Sequence, residues 1–228
     1  GCILPESNRT IYFAMSVTSI YEIQLQIAVG VNDTNCSTRT LTLKNGKSNE
    51  FTLTANANHS GEQFITAYTH KGLGNTISAT YNNRYYTGVK FYRMGESGET
   101  DLDKNPFNAE SNETIIAKFT PKELGLAINY TSNGSAITEA EAKKYFNNYA
   151  LTIIRGSLNG FENTLKTGFV VTNDRIHIEY SIGFDYQVSI SVNGETGRLD
   201  ANNDIYVTNA DYEFGKVDIN IDITHKQT

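Results

Sequence analysis

The sequence predicts a mainly β protein, built as an antiparallel β-sandwich of the immunoglobulin-like or jelly-roll-like kind. Between Ile176 and Val192, every even-numbered residue is apolar and every odd-numbered residue is polar or glycine. The same alternation returns between Val217 and Thr224. A period of two is the pleat of a strand with one face in a core and one in water. Only 19% of residues are charged, so Asn, Thr, Ser and Gln, which favour strands and turns, carry the polar surface.

The alternating run from Ile176 to Val192 is too long for one ordinary strand. We therefore expect a turn or sharp bend at Gly183 to Asp185 and two antiparallel strands in one hairpin. Asn45-Gly46 and Asn82-Asn83 predict two further hairpin turns, because Asn and Gly tolerate positive φ. The whole chain then holds roughly 14 strands. The others are Thr10 to Ser16, Tyr21 to Val29, Arg39 to Leu43, Glu50 to Ala55, Gln63 to Thr69, Ile77 to Tyr81, Tyr85 to Arg93, Thr114 to Thr120, Ala150 to Arg155, Leu165 to Thr172, Ile205 to Thr208 and Lys216 to Thr224.

One short helix is predicted near residues 139-148. Thr138-Glu139-Ala140-Glu141 is a capping box, in which the first and fourth side chains satisfy each other's backbone amides at a helix start. Three-and-four spacing then places Ala142, Tyr145, Phe146 and Tyr149 on one face of the helix.

The length of 228 residues permits two domains or one. In the first arrangement, residues 1-122 form an N-terminal β-sandwich and residues 123-228 form a C-terminal β-sandwich that contains the short helix. The boundary then lies near Pro121 to Gly134, where the strand pattern breaks. In the second arrangement, one large β domain spans 1-228 and the helix bridges its two sheets. The two halves share no sequence motif that would indicate a repeat.

Composition and motifs argue against several classes of function. The net charge of −6 and the absence of a basic stripe disfavour a nucleic-acid partner. No run approaches the roughly 18 to 20 apolar residues of a transmembrane segment. No Gly-x-Ser-x-Gly nucleophile motif occurs, and the four histidines are scattered, with His177 on the polar face of its strand. We therefore expect no enzyme and no cofactor, with calcium as the one exception considered below.

The chain contains two cysteines, Cys2 and Cys36, and two interpretations of them stay open. They could pair across the first two strands and close a loop of roughly 35 residues, which would stabilise the fold by about 3 to 4 kcal/mol in the chain-entropy model. Alternatively, Cys2 is a lipid attachment site of the kind at the start of mature bacterial lipoproteins. The sequence begins Gly1-Cys2 without an initiator Met, as expected of a processed end or an excised fragment.

A tyrosine-rich segment around the predicted Asn82-Asn83 turn is the candidate ligand-binding site. It comprises Tyr81, Asn82, Asn83, Arg84, Tyr85 and Tyr86. Tyrosine offers an apolar face and a hydroxyl, and Asn and Arg offer fork-like donors, a combination suited to a sugar or a protein epitope. The competing interpretation is that one Tyr of each adjacent pair lies in the core and the other on the solvent face of a strand.

Asp101, Asp103 and Asn105 form a candidate calcium site. Carboxylate and amide oxygens at alternate positions resemble the opening of a calcium loop. The match is partial, because Pro106 replaces the expected glycine and Asn112 replaces the final bidentate Glu. A second run with the same spacing comprises Asp200, Asn202, Asp204 and, further on, Asp211. For both runs the alternative is a solvated acidic turn.

The early Cys2 and Cys36, the Thr-, Asn- and Gly-rich β character and the final strand Val217 to Thr224 resemble those of bacterial fimbrial (pilus) adhesins or subunits of the chaperone-usher type. The receptor-binding domains of such adhesins have a comparable disulfide and terminal strand. This chain departs from them in lacking the aromatic, alternating terminal motif of a complete pilin. It is also longer than the common mannose-binding adhesin domain.

The resemblance implies adhesion without catalysis, by a secreted protein or one on the bacterial cell surface. Its partners would be a host-cell glycan or protein receptor and other fimbrial subunits. The alternative is a structural pilus subunit that polymerises by strand addition at an open sheet edge. A second alternative is a secreted glycan-processing enzyme, because the separation of a catalytic carboxylate pair is set by the fold.

Overall fold

A computed structural model describes residues 21–28, 39–45, 48–55, 64–71, 75–95, 98–99, 112–156 and 167–227. These residues form a mainly β protein with two short helices, which confirms the predicted fold class. In chain order the elements are β1 (Tyr21–Ala28), β2 (Arg39–Asn45), β3 (Ser48–Ala55), β4 (Phe64–Lys71), β5 (Asn75–Thr80), β6 (Tyr86–Arg93), β7 (Glu113–Pro121), β8 (Leu124–Ser132), β9 (Ser135–Ile137), α1 (Glu139–Lys143), β10 (Phe146–Ile154), β11 (Phe169–Val170), β12 (Arg175–Ile182), β13 (Tyr186–Val192), β14 (Glu195–Thr196), β15 (Asp204–Tyr206), α2 (Asn209–Phe214) and β16 (Val217–His225).

The strands form four sheets. Two of them, with strand orders β4-β1-β7-β6 and β3-β2-β5, contain the strands before Lys122, and we call these strands the first unit. The other two, with orders β11-β8-β16-β13-β14 and β10-β12-β15, contain the strands after Lys122, and we call them the second unit. β9 pairs with β8 at the side of the larger sheet. Among the described residues, no strand pairing joins the two units.

The two units share one strand topology. In each unit, the first described strand, β1 or β8, lies between an antiparallel strand, β4 or β11, and the last described strand, β7 or β16, which runs parallel to it. The last strand pairs in turn with an antiparallel strand, β6 or β13. The smaller sheets share an antiparallel pair, β2 with β5 and β10 with β12. The sheets are therefore antiparallel apart from one parallel pair in each unit.

Alternating side chains build the core, as the sequence pattern predicts. In β16, Val217, Ile219, Ile221 and Ile223 are fully buried, and the polar residues between them are half-buried. Ile176 and Ile178 of β12 are also fully buried and belong to the same apolar cluster. Burial of an aliphatic side chain of this size stabilises the fold by about 1.5–3 kcal/mol, so these alternating positions hold the sheets together.

Two predicted hairpins are wrong, and they occupy equivalent places in the two units. β12 and β13, joined at Gly183 to Asp185, pair with β10 and β16 and lie in different sheets. Likewise β5 pairs with β2 whereas β6 pairs with β7. In both places the turn carries the chain from one sheet to the other. The hairpin predicted at Asn45-Gly46 is confirmed, because β2 and β3 form an antiparallel pair.

The predicted helix exists but is shorter than expected. Thr138 and Glu141 form the capping box, and α1 then ends at Lys143. The chain from Phe146 onward is a strand because it pairs with β12 along its whole length. The second helix, α2, was not predicted, although Thr208 and Asp211 form a similar box at its start.

The stretch Pro121 to Gly134, predicted as a break, holds the nine residues of β8, the strand that pairs with β16 at the centre of the larger sheet of the second unit. Of the predicted strand Leu165 to Thr172, the described part contains only Phe169–Val170. The predicted strand Thr10 to Ser16 lies outside the described residues.

The chain passes from the sheets of the first unit to those of the second unit at Lys122. The division into two domains stays a prediction.

Candidate functional site

The tyrosine-rich segment forms the turn from β5 to β6. The carbonyl oxygen of Asn82 accepts hydrogen bonds from the backbone amides of Tyr85 at 3.0 Å and Tyr86 at 3.1 Å. The side-chain oxygen of Asn82 accepts a third bond, from the backbone amide of Arg84 at 2.9 Å. Asparagine therefore directs a turn here, as predicted, because its short side chain can satisfy a nearby amide.

Both tyrosines that follow this turn are buried, with exposures of 9% for Tyr85 and 2% for Tyr86. The expectation that one of the two faces solvent is therefore wrong. Tyr86 packs edge-on against Phe119 in the core of the first unit, with ring centroids 5.8 Å apart. Tyr81 is half-buried, whereas Asn82, Asn83 and Arg84 are exposed. Ligand binding by these three exposed side chains stays a prediction.

Tyr85 is buried because the second unit covers it. Its ring lies 5.4 Å from that of Tyr212 in α2. Its hydroxyl donates a hydrogen bond to Glu213 at 2.5 Å, and Arg84 forms an ion pair with the same carboxylate. The bond from Tyr85 and the Arg84 charge lower the pKa of Glu213. The predicted ligand-binding turn is therefore a contact between the two units.

A network of charged side chains covers the outer face of the sheet β10-β12-β15. Asp204, which is 3% exposed, contacts Arg175 at 3.0 Å and His177 Nδ1 at 2.8 Å. The other ring nitrogen of His177 lies 3.3 Å from Glu179. Hydrogen bonds to Asp204 and Glu179 raise the pKa of His177 above its ordinary value of 6.5. The polar face predicted for His177 is confirmed, and neighbouring carboxylates favour its charged form.

A small pocket lies beside this network, at the end of β10. Its volume is about 170 Å³. It is lined by Ile154, Arg155, Gly156, Asn173, Arg175 and Tyr206. A hydrogen bond to Tyr206 and the Asp204 charge raise the pKa of Arg175, so its guanidinium stays charged at the pocket. The pocket therefore combines two guanidinium groups, an amide and a phenol ring.

Asn173 is the unusual residue of the pocket. It is 3% exposed, and in the part of the chain that the structure describes neither atom of its side-chain amide has a hydrogen-bond partner. Its φ of +68° is a left-handed conformation that Asn tolerates better than most residues. Leaving a buried amide unpaired costs about 1–3 kcal/mol, so such a group calls for a structural or functional explanation.

Neighbouring contacts hold Asn173 in place. Arg155 lies 3.0 Å from the fully buried Asp174, which also accepts a hydrogen bond from the Val171 backbone amide at 2.8 Å. Burial raises the pKa of Asp174, although that amide and Arg155 favour its ionised form. A Cβ atom added to Gly156 would lie 2.1 Å from the carbonyl oxygen of Asn173, so only glycine permits this close approach.

Sequence reasoning did not identify this pocket. The alternation that buries Ile176 also places Arg175 and His177 on one polar face, and this signal could have linked the two charged residues. Asn173 gave no such signal, because its position depends on the turn before β12 and on the approach of Gly156.

A larger cleft of about 420 Å³ lies in the first unit, at the ends of β1, β6 and β7. Arg93 and Glu113 form an ion pair of 2.7 Å there, and the hydroxyl of Thr114 donates a hydrogen bond to Gln24 at 3.1 Å. These side chains bind one another across the cleft, so this cleft is a weaker candidate than the pocket at Asn173.

The second calcium candidate, which begins with Asp200, Asn202 and Asp204, does not bring its side-chain oxygens together at one point. Asp200 accepts hydrogen bonds from the backbone amides of Asn202 and Asp204, at 2.8 and 3.0 Å. The carboxylate of Asp204 is directed to Arg175 and His177. Across the residues that the structure describes, no three His, Cys, Asp or Glu side chains are grouped to hold a metal ion. Asp101, Asp103 and Asn105, like Cys2 and Cys36, lie outside those residues.

Asp211, the last residue of that candidate, binds protein groups instead. Its fully buried carboxylate contacts both terminal nitrogens of Arg198, at 2.5 and 2.7 Å. It also accepts hydrogen bonds from the Asn193 side chain and the Thr208 backbone amide, both at 2.9 Å. These contacts join the start of α2 to the turn after β13, so Asp211 has a structural role. The oxygens of Asp211 therefore contact protein groups and do not converge on one point with those of Asp200 and Asp204.

Within the described ranges, neither helix is long and apolar enough to cross a membrane.

No protein-family model matches the chain, and no curated protein sequence matches it. Among solved structures, the chain is similar to the major pilin T-13 of Streptococcus pyogenes, with 14% identity, coverage of 93% of this chain and 98% of that one, and a TM-score of 0.30. It is also similar to the S. pyogenes major pilin T3.2, at 9% identity, with coverage of 93% and 99% and a TM-score of 0.30. A third is the pilus adhesin SpaC of Lactobacillus rhamnosus GG, at 10% identity and a TM-score of 0.30, where the match covers 91% of this chain and 32% of that one. Likenesses at this level assign neither a family nor a function.

Proposed function

We propose that the chain is an adhesive module of a bacterial surface pilus, without catalytic activity, and that it binds a sugar unit of a host glycan. The observation that carries the proposal is the pocket at the end of β10, where the buried amide of Asn173 has no hydrogen-bond partner among the described residues. The fimbrial character of the sequence supports the cell-surface setting. The binding site differs from the tyrosine-rich turn that the sequence favoured.

The chemistry of the pocket suits a sugar. Each sugar hydroxyl both donates and accepts hydrogen bonds, and the buried Asn173 amide would offer one donor group and one acceptor once a small shift of the pocket lining exposes it. The guanidinium of Arg175 adds fixed donors, and Tyr206 adds an aromatic ring next to them. The volume of about 170 Å³ is below the roughly 300–1,000 Å³ of sites for drug-sized ligands, which favours a single sugar unit.

The test is a screen of the full chain against an array of host glycans, followed by affinity measurements on any glycan retained. Asn173→Gly is the informative variant, because glycine keeps the positive φ and removes the amide. We expect it to weaken binding at least tenfold. Asn83→Gly, in the exposed turn after β5, is the matched control and should leave the affinity unchanged. Loss of binding by Asn83→Gly alone would place the site at the tyrosine-rich turn and overturn the proposal.

The same screen addresses calcium and catalysis. Repeating it with EDTA tests whether the residues around Asp101 hold a cation that binding requires. Analysis of the glycans after incubation tests for hydrolysis. Released sugar products would favour the glycan-processing enzyme over the adhesin.

A structural pilus subunit is the second candidate function, and the contact between the two units favours it. Arg84, Tyr85 and Glu213 join the end of one unit to the other through an ion pair, a hydrogen bond and ring packing. Such a contact suits a protein that holds neighbouring modules in a fixed arrangement. A chain that retains no glycan and assembles into polymers would support this function over adhesion.

A further inference from the structure

The hydroxyl group of Tyr212 links the pocket at Asn173 to the point where the chain passes between the two units. Tyr212 lies in α2 and is 4% exposed. Its hydroxyl oxygen accepts a hydrogen bond from the backbone amide of Thr172 at 2.9 Å. The same hydroxyl donates a hydrogen bond to the carbonyl oxygen of Lys122 at 2.8 Å. One buried side chain therefore binds both the residue that precedes Asn173 and the residue between the two units.

The bond from Thr172 helps to fix the turn that carries Asn173. A hydrogen bond of 3.0 Å from the backbone amide of Asp174 to the carbonyl oxygen of Val171 closes this turn. The carbonyl oxygen of Asp174 accepts another bond, from the backbone amide of Val207 at 3.0 Å, and α2 begins two residues after Val207. Because the side-chain amide of Asn173 has no hydrogen-bond partner among the described residues, these backbone bonds set its position in the pocket.

The first unit holds Tyr212 from the other side. The ring of Tyr85 lies 5.4 Å from the ring of Tyr212, and the carbonyl oxygen of Tyr85 accepts a hydrogen bond from the backbone amide of Lys122 at 2.8 Å. Lys122 thus binds one tyrosine through its amide and the other through its carbonyl group. Since Lys122 lies between β7 and β8, a rotation of one unit about this residue would change both bonds.

We propose that Tyr212 is a positioning residue for the pocket, and that the contact with the first unit holds it in place. Tyr212 acts on Asn173 through the backbone of Thr172. The shape of the pocket then depends on the packing of the first unit against α2, although the described residues that line the pocket all follow Lys122 in the chain. The effect on sugar affinity rests on the proposed function, whereas the effect on the turn does not.

NMR of the full isotope-labelled chain tests this role, with Tyr212→Phe as the first variant. Phenylalanine keeps the ring against Tyr85 and removes only the hydroxyl group. The backbone amide of Thr172 then loses its acceptor, so we expect it to exchange with solvent about fivefold faster. We also expect the side-chain amide signals of Asn173 to shift. Asn173→Gly lacks these signals and so assigns them.

Tyr149→Phe is the matched control. It also removes a phenol hydroxyl group from the second unit, where Tyr149 and Tyr130 share a hydrogen bond of 2.7 Å away from the pocket. The signals of Thr172 and Asn173 in this variant should be those of the wild type. Equal changes in Tyr149→Phe and Tyr212→Phe would mean a general loss of stability and would overturn the positioning role.

Tyr85→Ala tests the part played by the first unit. It removes the ring that packs on Tyr212, so the signals of Thr172 and Asn173 should shift although the change lies in the other unit. Circular dichroism checks that the variant folds. Wild-type signals in Tyr85→Ala would overturn the dependence on the first unit, and wild-type signals in Tyr212→Phe would overturn the inference as a whole.

Glycan affinity separates this inference from the proposed function. For any glycan that the wild type retains, Tyr212→Phe should bind about fivefold more weakly and Tyr149→Phe should bind equally well. If the chain retains no glycan while the Asn173 signals shift, the proposed function fails and the positioning role stands. If Tyr212→Phe binds a retained glycan like the wild type and keeps the wild-type signals, the positioning role fails and the proposed function stands.

Discussion

Tyr85 and Tyr86 show how neighbouring residues of one type can serve different parts of a molecule. Tyr86 packs on Phe119 inside the first unit, and Tyr85 packs on Tyr212 in the second. The alternation of strand side chains predicts one buried and one exposed ring. It fails here because a surface that is exposed in one unit is covered by the other, and a local pattern carries no information about that contact.

Changing Tyr86 to Ala should destabilise the protein. The ring is 2% exposed, and truncation of a buried aromatic ring costs about 3–5 kcal/mol because it leaves a cavity. Urea denaturation followed by circular dichroism measures the loss. Asn83→Ala, three residues earlier in the exposed turn, should change the free energy of unfolding by less than about 0.5 kcal/mol. Equal stability of the two variants would show that Tyr86 is not a core residue.

At the scale of strands and helices, local sequence signals predicted where the elements lie better than which strands pair with each other. Alternation located β12, β13 and β16, and the Thr138 capping box located α1. Alternation does not distinguish a hairpin from a turn that crosses between sheets, since both strands face the same core in either case. The end of α1 was predicted too late because pairing with β12 overrides the helical spacing of Tyr145 and Tyr149.

The link between β12 and β15 through His177 should make stability depend on pH. Contacts with Asp204 and Glu179 raise the pKa of His177 in the folded protein above 6.5. The stabilisation is therefore fully present below about pH 6.5 and is lost as the pH rises through the folded-state pKa. Replacing His177 by Gln should reduce the difference between the free energy of unfolding at pH 5.5 and that at pH 8. These two values lie on either side of the ordinary histidine pKa of about 6.5.

Urea denaturation at a series of pH values measures this difference, and NMR of the imidazole protons gives the pKa directly. Ser189→Gln, at an exposed position of β13, is the matched control and should preserve the pH dependence of the wild type, because neither side chain titrates. An imidazole of His177 that titrates below 6.5 would contradict the expected direction of the shift.

At the scale of the whole molecule, the shared topology of the two units was invisible in the sequence. No motif repeats, because a strand position constrains the alternation of side chains and leaves their identity open. The parallel pairing of the first and last described strands of each unit joins residues about 90 positions apart, as Leu126 and Val217 are. The pocket at Asn173 was also invisible in the sequence, because Asn173, Gly156 and Tyr206 come together only through the fold and share no spacing in the chain.

The division into two domains can be tested by producing residues 123–228 alone. We expect this fragment to show the circular dichroism of β structure and a cooperative unfolding transition. Without Tyr85 against Tyr212, it should be less stable than in the full chain by about 0.5–1.5 kcal/mol. A fragment with no cooperative transition would favour the alternative of one large domain.

The pairing of β8 with β16 also decides how the second unit responds to traction. Because the two strands are parallel, the start of β8 and the end of β16 lie at opposite ends of their ladder, which extends from Leu126 with Val217 to Ser132 with Ile223. A pull on these two ends loads all of the ladder's hydrogen bonds in shear at once, whereas a hairpin opens one bond at a time. Unfolding under a pulling force is governed by the unfolding rate. A ladder loaded in shear therefore gives the folded unit a long lifetime under mechanical load.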